Sequence, residues 1–324
     1  MLRISRRVLA AMIALAALIP GNASAADALK EIRLDWATYN PVSMILKQRG
    51  LLEKEFAKDG IGIVWVQSAG SNKALEFLNA GSIDFGSTAG AAALIGKING
   101  NPIKSIYVYS RPEWTALVTR KDTAINKVAD LKGKRVAVTR GTDPHIFLVR
   151  ALLDAGLSEK DITPVLLQHA DGKTALIRGD VDAWAGLDPM MAQAELEDGA
   201  KLFFRKADAN TWGILNVREA FLKDYPQAVQ RVLATYEDAR KYALANYEEL
   251  QKALVAATKL PDAVADKQLK ERTDLSHSRI GAPQRESILA AGLALQQAGV
   301  IDAKVDVKAA LDSLIDDGVP LPTN

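Results

Sequence analysis

From end to end, this 324-residue chain repeats one unit: a short apolar run stops at a small polar corner and gives way to helical spacing. That alternation predicts an α/β fold with mainly parallel sheets, because parallel neighbours need a crossover and the helix supplies it. IRLDWA (32–37) precedes VSMILKQRGLLEKEFAK, and IGIVWVQSA (61–69) precedes NKALEFLNAG. In the latter, Ala74, Leu75 and Leu78 keep helical spacing and Gly81 predicts a C-cap. IDFGS (83–87) leads into AGAAALIGKING and then IKSIYVYS (103–110). RVAVTR precedes HIFLVRALLDAGL, ITPVLLQ (162–168) precedes KTALIRG, and VDAWAGL (181–187) precedes PMMAQAELEDG. From about Tyr225 onward the pattern is mostly helical.

The unit echoes itself at long range. KALEFLNAGSIDFG (73–86) resembles KTALIRGDVDAW (173–184), aligning Gly81-Ser82-Ile83-Asp84 with Gly179-Asp180-Val181-Asp182. Copies so far apart do not make a solenoid; they predict two similar lobes. The chain is expected to cross between them near Ser110-Arg111-Pro112 and near Asn210-Thr211-Trp212. Residues 26–110 and 212–324 then form lobe 1, and 111–211 form lobe 2 as an insertion. Asp84 and Asp182 read as structural turn or cap residues.

The corners are chemically alike. Asn40-Pro41, Asp143-Pro144 and Asp188-Pro189 each set a favoured N-cap before a proline suited to the first helical position. Ser68-Ala69-Gly70-Ser71-Asn72 and Gly86-Ser87-Thr88-Ala89-Gly90 use small polar residues in the same place. In an open parallel sheet such helix starts gather at the carboxyl ends of the strands, where ligands bind. Their free amides favour an anion there. The stretch AVTRGTDPHIF (137–147) is the sharpest case, with Asp143 using its own helix dipole and Arg140 or Thr142 nearby. It is no nucleotide loop, since neither G-x-x-x-x-G-K-[ST] nor a G-x-G-x-x-G after a first strand occurs.

Other chemistry finds little support. His145, His169 and His277 are scattered and read as solvated or capping residues, with no H-E-x-x-H and no cysteine. No G-x-S-x-G elbow occurs, so neither an enzyme of that type nor a cofactor is expected. Aromatics make up only 6% of the chain, which makes their positions informative. Trp36 and Trp65 read as core, while Tyr39, Trp184 and Trp212 read as cleft lining. Arg111 and Arg140 are the basic residues expected near the cleft.

The amino terminus supplies a compartment. Arg3, Arg6 and Arg7 precede the apolar run VLAAMIALAALI (8–19), Pro20-Gly21 breaks it, and Ala23-Ser24-Ala25 forms a small-x-small cleavage site. Residues 1–25 are therefore expected to be a cleaved signal peptide. With them gone, the surplus of 41 basic over 39 acidic residues becomes a deficit of one. No basic run remains to track nucleic acid. Without a cysteine there is no disulfide and no lipid attachment point, so a freely diffusing periplasmic protein is expected.

Three segments together carry a family resemblance: ILKQRGLLEKEFAKDGIGIVWVQSAGSNKALEFLNAGSIDFGSTAGAA, VADLKGKRVAVTRGTDPHIFLVRALLDAGL and GDVDAWAGLDP. Through them the chain resembles periplasmic solute-binding proteins of ABC importers, in the branch for aliphatic sulfonates, taurine and nitrate. The resemblance implies a two-lobe periplasmic-binding-protein fold of type II, with the ligand cleft between the lobes. It implies a monomer that delivers a small anionic solute to a cognate ABC permease without chemical change. Enzymes of this fold that make thiamine pyrimidine are expected to need iron and a cysteine-rich motif, which this chain lacks. Carried over residue by residue, the ligand contacts fall on Tyr39, Asn40, Ser71, Ser87, Thr88, Thr142, Asp143 and the corner ending in Asp188. Thr88 and Thr142 are expected to donate to ligand oxygens from opposite lobes. Leu187, where sulfonate-binding relatives tend to carry an aromatic, and Ala89-Gly90-Ala91 imply smaller pocket walls.

Overall fold

The computed structural model describes residues 28–321, so the expected leader at 1–25 lies outside the described residues. In chain order the elements are β1 (Glu31–Trp36), α1 (Pro41–Arg49), α2 (Leu51–Phe56), β2 (Gly62–Gln67), α3 (Ser71–Asn79), β3 (Phe85–Ala89), α4 (Gly90–Ile98) and β4 (Ile103–Pro112). There follow β5 (Leu117–Thr119), β6 (Arg135–Val138), α5 (Asp143–Asp154), β7 (Thr163–Leu166), α6 (His169–Arg178), β8 (Ala183–Ala185), α7 (Met190–Glu197) and β9 (Lys201–Phe204). The last part comprises β10 (Gly213–Arg218), α8 (Glu219–Asp224), α9 (Pro226–Ala245), α10 (Tyr247–Thr258), α11 (Asp262–Asp266), β11 (Thr273–Asp274), α12 (Ala282–Gln297) and α13 (Val307–Leu314).

Two sheets result, one to a lobe. The first runs β11-β4-β10-β3-β1-β2 and the second β7-β6-β8-β5-β9. β1 pairs parallel with β2 and β3, and β6 pairs parallel with β7 and β8. β10 runs antiparallel between β3 and β4, and β5 runs antiparallel between β8 and β9. Laid over one another, β1 to β4 and β6 to β9 occupy the same order. The odd strand in each sheet is the one reached just after the chain has come across from the other lobe. Helices cover the sheets, and the largest core cluster sits on the first, with Phe85, Tyr107 and Ile214 meeting Ile45, Val229 and Tyr236 from α1 and α9.

The internal echo has a physical basis. Asp84 accepts from the Arg33 amide (2.9 Å), and Asp182 accepts from the Arg135 amide (2.8 Å). In return the Asp84 amide donates to the Arg33 carbonyl and the Asp182 amide to that of Arg135. Each aspartate thus locks the start of one strand, β3 or β8, onto its parallel neighbour in the sheet, β1 or β6. They are strand clamps more than turn caps, and Asp84 further gathers the Arg33 and Arg218 guanidinium groups.

Candidate functional site

Several corners converge on one cavity with about 200 Å³ of empty space. Its lining is Tyr39, Ser71, Trp114, Thr142, Asp143, Pro144, His169 and Leu187. Tyr39 comes from the β1–α1 corner, and Leu187 stands just before α7. Ser71 opens α3, Thr142 to Pro144 open α5, His169 opens α6, and Trp114 stands between β4 and β5. Tyr39 and Trp114 meet edge to face, with ring centroids 6.0 Å apart.

What the helices offer here follows from their caps. Asn40 caps α1 as expected, its Oδ1 accepting from the Ser43 amide at 3.1 Å. No side chain caps α3, α5 or α6. In α3 the Lys73 amide bonds back to the Gly70 carbonyl and in α5 the His145 amide bonds back to that of Thr142. This leaves the Ser71 and Asn72 amides and, since Pro144 has none, the Asp143 amide at the positive ends of their dipoles for a ligand or water. Ser71 adds a hydroxyl that accepts from the Ala89 amide (3.0 Å) and so keeps its own hydrogen for the cavity.

Asp143 corrects the expectation that it caps its own helix. It is the first residue of α5, with Thr142 at the N-cap. Its carboxylate turns away to accept from Trp114 Nε1 (2.8 Å), the Thr211 amide (2.9 Å) and the Thr211 hydroxyl (2.6 Å). Burial pushes this carboxyl up, against the pull of those three donors. One carboxylate therefore ties the α5 corner to both chain crossings and leaves the helix dipole unspent.

Thr88 and Thr142 both have partners inside the fold. The Thr142 hydroxyl gives its hydrogen to the Thr139 carbonyl (2.6 Å), so toward the cavity it presents only lone pairs. Thr88 lies fully buried behind the cavity, accepting from Asn216 Nδ2 at 2.8 Å. Asn40 and Ser87 share that hidden layer: Asn40 Nδ2 donates to Ser87 Oγ (2.7 Å), which donates to Asp35 (2.8 Å). Tyr39 gives its phenolic hydrogen to the Ser87 carbonyl (3.1 Å).

The remaining expected site residues lie elsewhere. Trp184 is buried in the core of the second sheet, since its strand turns it onto Gly172 of α6. Trp212 packs edge-on against His277 and lies under Arg111. Arg111 itself pairs with exposed Asp208 at 3.3 Å. Asp188 is buried, accepting from the Ala192 amide (2.9 Å) and from Arg272 (3.1 Å); burial pushes it up to about 6 while Arg272 pulls it down. Arg140 turns toward Glu159 (3.8 Å), in a wider outer groove of about 1,520 Å³ shared with Ile95, His145 and Val300.

Two lining residues stand outside the sequence-derived set. Trp114 replaces Trp184 and Trp212 as the aromatic wall, and its nearness to Pro112 was the available signal. His169 follows ITPVLLQ directly, at a corner without Gly, Ser or Pro. His145 and His169 are both buried, contrary to the solvated reading, and only His277 is exposed. No lysine or arginine lines the cavity. Among the described residues no three His, Asp or Glu side chains come together to hold a metal ion, and no helix is long and apolar enough to cross a membrane.

Known proteins resemble this arrangement. A family model described as NMT1/THI5 like matches residues 54–250. A relative from Escherichia coli (strain K12), named for binding aliphatic sulfonates, is 34% identical over 201 residues, 61% of this chain and 62% of its own. A 4-amino-5-hydroxymethyl-2-methylpyrimidine phosphate synthase from Uromyces fabae is 31% identical over 47% of this chain and 44% of its own. Among solved structures, the alkanesulfonate-binding protein SsuA from Xanthomonas axonopodis pv. citri bound to MOPS superposes with a TM-score of 0.79. It is 28% identical, and the match covers 86% of this chain and 97% of that one.

Proposed function

Because the chain belongs to the NMT1/THI5-like family, we propose that it is the periplasmic binding protein of an ABC importer for a small organic anion, in the first instance an aliphatic sulfonate. The observation that carries this reading is the convergence of three uncapped helix starts, α3, α5 and α6, on one cavity without a basic side chain. Open amides suit a singly charged, weakly basic oxyanion. The Trp114, Leu187 and Pro144 walls suit an alkyl tail over bare sulfate.

On this reading Ser71 and the open amides of α3 and α5 grip the anionic head. Tyr39 and Trp114 close over it, and Asp143 keeps the α5 corner in place. Residues 26–110 with 212–324 and residues 111–211 act as the two lobes of a monomer that docks on its permease after crossing the inner membrane as a cleaved precursor. The pyrimidine synthase relative keeps an enzyme in view. The absence of cysteine from the chain and the names of the sulfonate-binding relatives support transport.

A thermal-shift panel tests the ligand class. Ligand at about a hundred times its Kd stabilises by roughly 2.7 kcal/mol, a shift of a few degrees for a chain of this size. Alkanesulfonates should outrank sulfate, nitrate, amino acids and pyrimidines. A larger shift from a neutral pyrimidine or an amino acid would replace the sulfonate assignment.

A further inference from the structure

His169 opens α6 in the cavity wall, buried to 1% exposure, and its Nε2 has no hydrogen-bond partner. The atom faces the other lobe. A Cβ placed on Gly70, ahead of α3, would sit 3.0 Å from His169 Nε2 and 2.9 Å from Asn72 Oδ1, a second unpartnered buried atom. Gly70 has a φ of +156°, so backbone geometry and lack of space both hold that position to glycine. The Gly70 corner leaves His169 Nε2 an opening where a side chain would close it.

The other ring nitrogen fixes the tautomer. Thr139 Oγ1 lies 2.7 Å from the Leu167 carbonyl and 3.2 Å from His169 Nδ1. Its single hydrogen goes to the carbonyl, which can only accept, so Nδ1 carries the hydrogen that Oγ1 receives. In the neutral ring Nε2 is then a bare lone pair, which repels an anionic oxygen. Protonation turns it into a charge-assisted donor.

We infer that His169 is a ligand-binding residue that takes up one proton as the anion enters, its Nε2–H then donating to an oxygen of the anionic head while Nδ1–H stays on Thr139. This rests on the anion-binding reading above. Burial pushes this imidazole down to about 3, so on this inference the proton arrives with the ligand. Anion and proton enter a desolvated site as a neutral pair. The other titratable groups in the cavity wall are Tyr39, held by Ser87, and Asp143, held by Trp114 and Thr211. β6 and its following corner present Thr139 and the outward-turned Arg140, and α3 presents uncharged Asn72. On α6 itself, Lys173 pairs with Asp198 (3.1 Å), and Asp171 lies on the exposed side.

Calorimetric titration of the full mature chain with butanesulfonate, nitrate and sulfate, all ionised between about pH 5 and pH 8, reads the coupling. For whichever anion binds most tightly, Kd of the wild type should rise roughly 10-fold per pH unit until the liganded imidazole deprotonates. His169→Gln keeps a donor near the Nε2 position but does not titrate, so its slope should fall below about 2-fold per unit. Thr139→Val removes the acceptor that fixes the tautomer and should flatten the slope in the same way. Asp143 is unchanged in both variants, so the difference from wild type belongs to His169. Tightest binding of nitrate with the slope intact would remove the sulfonate assignment and keep His169. Equal slopes in wild type and both variants, or no binding of any of the three anions at any pH, would overturn the inference.

Discussion

Beneath the cavity, Asp35 shows how a single residue sets a pH dependence. It is fully buried, its Oδ1 accepts from the amide and hydroxyl of Ser87, and its Oδ2 has no partner. Burial pushes its carboxyl up to about 6 against those donors. A carboxyl raised on folding favours the protonated folded state: its stabilising contribution is present below the unfolded value and is lost as pH rises through the folded one. The loss amounts to about 3 kcal/mol between about pH 4 and pH 7. Asp35→Asn carries no such linkage, so relative to wild type it should gain that much over the same interval. Urea unfolding of both proteins at the two pH values measures the gain; a constant gap would mean that Asp35 is not held uncharged. Residue-level roles were the least legible part of the sequence. Thr88, Thr142 and Asp143 were visible as polar corner residues, but Thr142 spends its hydrogen within its own corner on Thr139, while the partners of Thr88 and Asp143 come from distant parts of the chain. His169 was read only as a solvated or capping residue because its corner carries no Gly, Ser or Pro like those that mark the others.

At the scale of elements, the strand-then-helix corners of β1, β2, β3, β6, β7 and β8 were legible, because an apolar run followed by helical periodicity has one economical fold. β5, β9, β10 and β11 were not. β5 and β11 span only three and two residues, while β9 and β10 lead into no long amphipathic helix. Their place is decided by the sheet they complete. The echoed aspartates were legible as a pair, and their surroundings separate them energetically. Asp84 is buried with two guanidinium groups and a backbone amide, whereas Asp182 is half-buried with a backbone amide. Asp84→Ala takes their shared partner from the partly exposed Arg33 and Arg218 guanidinium groups and should cost about 2 kcal/mol or more, while Asp182→Ala should cost about 1 kcal/mol. Urea midpoints of the two variants should differ in that order, and equal costs would mean that the Arg33 and Arg218 contacts contribute nothing.

For the whole molecule the central claim is a clamp: two lobes of matching strand order close on a small anion held by open helix starts. The geometry couples the grip to the closure. Asp143 stands at the cavity and holds Trp114 on one chain crossing and Thr211 on the other. Arg272 reaches across to buried Asp188 at the far lobe's corner. The two-lobe plan was readable from the echo between residues 73–86 and 173–184. The direction of β10 and β5 was not, since only the return of the chain across the crossings sets it. Small-angle scattering of the mature chain, with and without a butanesulfonate concentration that saturates its thermal shift, tests the clamp directly. Hinge closure predicts a smaller radius of gyration in the bound protein, and an unchanged radius at saturation would contradict it.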